Sequence, residues 1–236
     1  MNPILQEALT TDHVKNENGE IIPLHSHIPR LQGEFLQQII AELKPKVTLE
    51  VGLAYGISGL FICDQLKSNQ TEKNHNNQRH IIIDPYQLRD WQNIGLNNLK
   101  KAGYEAIIEF HDQPSHIVLP LLESQGVKID FAFIDGMHTF DHTLVDFFNV
   151  DRLLNVGGIL AIDDTNFPSV AKVCRFILTN RAYSVSHVLT SRDDRSPTFL
   201  KMMHILIKSQ AVPQNRCIAF RKEAEDYRNW HFYEDF

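Results

Sequence analysis

The stretch FAFIDGMHTFDHTLVDFFNVDRLLNVGGILAIDDTN, Phe131 to Asn166, reads as two apolar strands, each ending in a carboxylate, joined by an amphipathic helix. In an open parallel sheet, ligands bind beyond the carboxyl ends of the strands, so Asp135, Asp163 and Asp164 are expected to converge on one crevice. Three carboxylates brought together repel one another unless a hard divalent cation sits among them. Oxygen-only ligands suit magnesium or calcium better than zinc. His138, three residues past Asp135, would stand over that metal.

Outward from this stretch, apolar runs of strand length alternate with helical patterns. The strands fall near Val47 to Val51, His80 to Asp84, Ala106 to Phe110, Ile129 to Ile134 and Gly158 to Ile162. Helices fall near Ser58 to Lys67, Arg89 to Lys101, Ser115 to Ser124, Phe140 to Leu154 and Val170 to Asn180, with a lid or packing helix over Leu31 to Leu43. The alternation predicts a parallel sheet covered by helices, and its strands are apolar at nearly every position, as strands buried on both sides must be. Ser68 to Gln78 is polar and aperiodic, a surface loop. Beyond Arg181, strands are expected at Tyr183 to Leu189 and Cys217 to Phe220, flanking a connection of undecided structure that contains SRDDRSP and FLKMMHILI. Phe147, Phe148, Leu153 and Leu154 are expected in the core, and Asp146 on the polar face of its helix.

The chain has 236 residues and a formal charge of -6, with Lys and Arg mixed among Asp and Glu. That balance offers no basic face for nucleic acid and favours a small-molecule substrate. A chain of this length buries about 70 to 75% of its unfolded surface, so a metal would be functional rather than a staple. Cys63, Cys174 and Cys217 are odd in number, far apart and without CxxC spacing. They suggest neither disulfides nor a zinc cluster, and fit a reducing cytoplasm. The N-terminus lacks a signal-peptide pattern and no apolar run approaches the roughly 18 residues of a membrane span.

Thr48 to Ser58, TLEVGLAYGIS, places Gly52 and Gly56 between the first core strand and its helix, where a ligand can approach the backbone and the helix amides. Glu50 would repel a pyrophosphate but pair with an ammonium group, and the spacing departs from GxGxxG, which disfavours a dinucleotide. Asp84 ends the second core strand, where a carboxylate takes ribose hydroxyls; an Asp opening a turn with Pro85 is the other reading. His25 and His27, in LHSHIPR, read as a solvated loop, with a place over the pocket as the alternative.

These residues resemble a class I S-adenosylmethionine-dependent O-methyltransferase. EVGLAYGIS is similar to that family's ExGxxxGxS turn, FIDGMHTFDHTLVD to the DGxHxY segment of its bacterial branch, and GGILAIDD to the strand whose terminal carboxylates bind metal there and in catechol-type enzymes. The bacterial branch includes macrolide-sugar O-methyltransferases and relatives of cephalosporin-modifying enzymes. Phe140 replaces the common tyrosine, and the resemblance covers about Ile28 to Asn180.

The resemblance implies that Glu50 faces the methionine amino group and Ser58 its carboxylate. Gly52 and Gly56 would line the cofactor, Asp84 hold ribose, and Ser115 and His116 hold adenine, unless Ser115 caps its helix. Asp135 would serve cofactor and metal alike, and Asp135, Asp163 and Asp164 would ligate Mg2+ or another hard divalent cation. His138 would be the general base, which favours an alcohol or diol acceptor. His142 lacks the glutamate of an HExxH helix and reads as solvated or supporting.

The fold expected is a doubly wound, Rossmann-like α/β sheet, mostly parallel, of seven strands with one antiparallel edge strand. The expectation is one domain over 1–236: an N-terminal lid or helical segment (1–45), a cofactor-binding core (46–181), and C-terminal strands with a substrate or partner region (182–236). A small-molecule hydroxyl is the expected partner; the aromatic tail YRNWHFYEDF could support a homodimer or fold onto its own domain. The alternatives are a metal-independent methyltransferase, a non-catalytic S-adenosylmethionine-binding protein and an NAD-binding oxidoreductase.

Overall fold

A computed structural model describes residues 1–70, 78–189, 197–208 and 217–236. The expected loop over Ser68 to Gln78 and the SRDDRSP segment fall largely outside the described residues. Internal contacts divide the chain into two compact units, Met1–Val118 and Leu119–Phe236.

The first unit opens with α1 (Pro3–Thr11) and a hairpin of β1 (His13–Lys15) and β2 (Ile21–Pro23), none of which the periodicity indicated. A signal for α1 was present in the Asn-Pro start. Asn2 caps the helix by accepting from the Ile4 amide at 2.9 Å, and Pro3 occupies the first turn, where no amide is needed. Next come α2 (Arg30–Leu43), β3 (Val47–Val51), α3 (Ile57–Ser68), β4 (Arg79–Ile83), α4 (Ile94–Lys101) and β5 (Ile108–His111). Strands β5, β4 and β3 lie side by side in that order, all parallel.

Helix α2 buries Leu36, Ile39 and Ile40, an inward stripe at helical spacing, and meets α3 so closely that Gly33 faces the Phe61 ring. Helix α4 begins five residues later than its pattern suggested, because Gln92 and Asn93 adopt left-handed backbone, with φ of 50° and 56°. Strand β5 starts after a turn closed by the Ile107 amide on the Tyr104 carbonyl.

Helix α5 (Ser115–Ser124) contains the division between the units. The second unit continues with β6 (Ile129–Ile134), α6 (Phe140–Leu153), β7 (Leu154–Asp163), α7 (Pro168–Asn180), β8 (Tyr183–Val188), α8 (Pro197–Lys208) and β9 (Cys217–Lys222). Its strands run in the order β6-β7-β9-β8; β6 and β7 are parallel, and β9 lies antiparallel to both β7 and β8. The strand set is that of a seven-stranded, mostly parallel Rossmann-like sheet whose antiparallel element comes at the β8 end. The connection left undecided by the sequence contains α8, which buries Met203 and Ile207.

Two packing expectations are corrected. Asp146 is buried, on the inward stripe of α6 with Thr143, Phe147 and Val150, rather than on its polar face. Phe148 is exposed, one step off that stripe, with the Arg152 guanidinium over its ring. The C-terminal tail folds onto α7: Phe236 packs on Phe176 and Lys172, and Asn180 bonds both the amide and the carbonyl of Glu234. No helix among the described residues is long and apolar enough to cross a membrane.

Candidate active site

In the first unit, β3 ends at Val51 and the chain turns through Gly52, Ala54 and Gly56, with φ of 90°, 48° and 83°, before α3 begins. Gly56, at the N-cap, gives α3 no side-chain cap, so the first amides of the helix meet this turn directly. Asp84, following β4, fastens the turn. Its Oδ2 accepts from the Leu53 and Ala54 amides at 3.1 and 3.0 Å and from Gln87 Nε2 at 2.8 Å. Its Oδ1 accepts from the Tyr86 amide at 2.8 Å, which is the Asp-Pro turn anticipated at this position.

Helix α4 docks on the same turn through glycine. A Cβ on Gly95 would lie 2.4 Å from the Ala54 carbonyl oxygen, and Asn98 Nδ2 donates to the Tyr55 carbonyl at 3.0 Å. Gln87, Gly95 and Asn98 are site-shaping residues that the motif reading passed over. The signal available was the glycine inside an otherwise helical pattern, which marks a close approach.

Glu50 is fully buried. The Ser58 hydroxyl donates to its Oε1, and His80 Nε2 lies 3.1 Å from its Oε2. The two residues expected to face opposite ends of a methionine moiety are therefore paired with each other. His25 is more than a solvated loop residue: its Nε2 is 2.7 Å from the Tyr55 hydroxyl, and its ring packs with Tyr55 and Trp91. This ties the N-terminal segment to the glycine turn. Ser115 opens α5 and His116 is exposed on its first turn.

The second unit carries the acids. Asp135 follows β6, Asp163 ends β7, and Asp164 has left-handed backbone with φ of 49°. The chain has turned at Asp164, so the strand's alternation no longer forces the neighbouring carboxylates to opposite faces. His138 Nε2 lies 3.4 Å from Asp164 Oδ2 and 4.0 Å from Asp135 Oδ1. The histidine is held by Ser169 Oγ, which donates to its carbonyl at 2.6 Å, and its ring packs edge-to-face with that of Phe167. His142 is exposed, with its Nδ1 2.9 Å from the Thr139 hydroxyl.

Cys217 lies opposite Asp163 in the β7–β9 register. Burial, then the Asp163 and Asp135 carboxylates, the Cys174 thiol and Asp164 push its thiol well above the usual range. His138 stands within 4.0 Å of both Asp135 and Asp164, and Asp163 directly precedes Asp164 in the chain. Among the described residues, however, no group of three or more His, Cys, Asp or Glu side chains is arranged to hold a metal ion.

Residues 49–165 match the protein family described as Methyltransferase domain. The chain is 32% identical over 146 residues to a caffeoyl-CoA O-methyltransferase of Stellaria longipes, covering 57% of this chain and 52% of that protein. It is 29% identical over 168 residues to a caffeoyl-CoA O-methyltransferase of Populus kitakamiensis, covering 68% and 61%. The chain therefore spans about half the length of the curated relatives it matches, 52% in the first case.

Among solved structures it is similar to an O-methyltransferase from Bacillus cereus in complex with SAH, with a TM-score of 0.59, 16% identity, and coverage of 94% of this chain and 92% of that one. It is also similar to the O-methyltransferase TomG from Streptomyces achromogenes in complex with SAM, with a TM-score of 0.58, 15% identity and coverage of 94% and 91%. At those identities the likeness is one of fold. The chain thus shares the fold of these solved structures, and its segment 49–165 matches the methyltransferase domain family.

Proposed function

We propose that this chain transfers the methyl group of S-adenosylmethionine to a hydroxyl of a small molecule, with His138 as general base and a magnesium-type cation assisting. The observation that carries the reading is His138 Nε2, 3.4 Å from Asp164 and 4.0 Å from Asp135, at the carboxyl ends of two adjacent parallel strands. The DGMHTF segment around it supports the bacterial DGxHxY branch, with a sugar or other alcohol hydroxyl as acceptor.

The turn fits the donor: its backbone is left-handed at three positions, its helix start is uncapped, and Asp84 Oδ1 retains acceptor capacity beyond the Tyr86 amide. When bound, S-adenosylmethionine supplies a methyl already activated by its sulfonium charge. Gly52 and Gly56 would line it, Asp84 would take ribose hydroxyls, and Ser115 with His116 would take adenine. Glu50 would supply negative charge for the ammonium from beneath the turn, steadied by Ser58.

Asp135, Asp163 and Asp164 would offer an all-oxygen donor set of the kind that suits a hard cation, and the left-handed turn at Asp164 frees its carboxylate from the strand's alternation. When bound, the cation would lower the pKa of the acceptor hydroxyl. His138 Nε2 removes the hydroxyl proton, and Asp164 and Asp135 stabilise the imidazolium formed. A metal-independent transfer is the second reading. There the same acids orient the acceptor and hold His138. Three buried free cysteines support a cytoplasmic setting.

Thermal shift tests the donor: S-adenosylhomocysteine should stabilise the protein and NAD should not, and the reverse would overturn the reading. Titration calorimetry tests the cation. Magnesium should bind the wild-type protein and fail to bind Asp163→Ala; identical heats would leave the metal-independent reading.

A further inference from the structure

Glu50 has no solvent exposure, and a carboxylate so placed is costly unless its oxygens receive hydrogen bonds. Oε1 receives Ser58, and Oε2 receives His80, itself fully buried. A carboxylate only accepts, so His80 Nε2 carries the proton it donates, and Nδ1 is left to accept from the Thr48 hydroxyl at 2.9 Å. The other acceptor near that hydroxyl, the Arg79 carbonyl, is farther at 3.4 Å. Thr48 and His80 are direct partners in the parallel β3–β4 register, while Thr48 and Glu50, two residues apart, share one face of β3. Gly59 closes the space on the helix side, since a Cβ there would come within 3.2 Å of Glu50 Oε2. The result is one buried relay, Thr48 to His80 to Glu50, ending beneath the glycine turn.

We propose that His80 is a positioning residue of the methyl-donor site: it fixes the buried Glu50 carboxylate under the turn, and through it the grip on the amino-acid end of the donor. The proposal rests on the methyl-donor reading above. Without the His80 donor, the carboxylate is one hydrogen bond short in a buried site and must turn towards another partner. That turn weakens its hold on an ammonium group. A ligand without that group should be indifferent.

The test is titration calorimetry with S-adenosylhomocysteine and with 5′-methylthioadenosine, which shares the nucleoside but lacks the ammonium and carboxylate. His80→Leu should weaken S-adenosylhomocysteine by about tenfold, the equivalent of one lost bond to a charged group, and leave 5′-methylthioadenosine unchanged. His80→Gln, which keeps an N–H donor, should recover affinity to within about threefold, and His80→Leu should have no effect in a Glu50→Gln background. Equal loss of both ligands would mean a merely structural role, and unchanged S-adenosylhomocysteine binding would overturn the proposal outright. Should His80→Leu fail to fold, Thr48→Val decides: it should weaken S-adenosylhomocysteine selectively, and no change would sink the idea. If the wild-type protein binds neither ligand, the donor reading itself is what fails.

Discussion

Gly56 and Gly95 meet backbone to backbone: a Cβ on Gly56 would lie 2.8 Å from the Gly95 carbonyl oxygen. The reverse contact is tighter still, because a Cβ on Gly95 would lie 2.4 Å from the carbonyl of Ala54. Gly95→Ala therefore has to shift α4 or the turn, although alanine is the better helix former. We expect S-adenosylhomocysteine to bind about tenfold more weakly, equivalent to the lower end of the usual overpacking cost. Calorimetry checks this, and unchanged affinity would show that the turn tolerates the displacement.

His138→Ala should lower the single-turnover rate of methyl transfer by about 10²- to 10⁴-fold, the usual contribution of a positioned general base. The assay applies to any hydroxyl acceptor that the wild-type protein methylates, and S-adenosylhomocysteine affinity should hold. Full turnover in the variant would remove His138 from the chemistry.

Gly33→Ala places a methyl 2.1 Å from the ring of Phe61, which is fully buried and has nowhere to go. Overpacking of this kind costs about 1 to 3 kcal/mol, which corresponds to a fall in Tm of several degrees for a chain this long. Differential scanning calorimetry on the two proteins is sufficient. A Tm equal to or above wild type would contradict the α2–α3 contact.

Asp226 answers to pH. The hydrogen bond from Arg228 holds its carboxyl down at about 2, with Arg181 and Arg228 charges adding to the effect and burial opposing it. The folded value lies below the unfolded one, near 4, so this group's stabilisation is complete above about pH 4 and is lost as pH falls towards 2. Solvent screening at this partly exposed site reduces the gain to about 1 kcal/mol. Urea unfolding of wild type and Asp226→Asn should differ by that amount at pH 5 and converge by pH 2. A pH-independent gap would exclude the ion pair as its source.

Much of the fold was legible because its signals are local. Strands such as Ile129–Ile134 declare themselves by continuous apolar runs, and α6 by its stripe of Phe147 and Val150. Where a local rule met a competing one, the pattern slipped. Helix α4 starts late because Gln92 and Asn93 turn left-handed, and Asp146 is buried because its place on the helix outweighs its charge class.

The candidate site divides the same way. The sequence by itself determined that carboxylates stand at the ends of strands and that glycines mark the first turn, since both follow from residue type and spacing along one segment. Only the tertiary structure decided what those groups touch. Glu50 meets His80 because parallel pairing brings together strands that are thirty residues apart, and Gly95 meets the turn because α4 folds back onto it. His138 is flanked by Asp135 from its own segment and by Asp164 from the next strand. Contacts of this kind are set by strand register and helix docking, and no periodicity within a single segment encodes them.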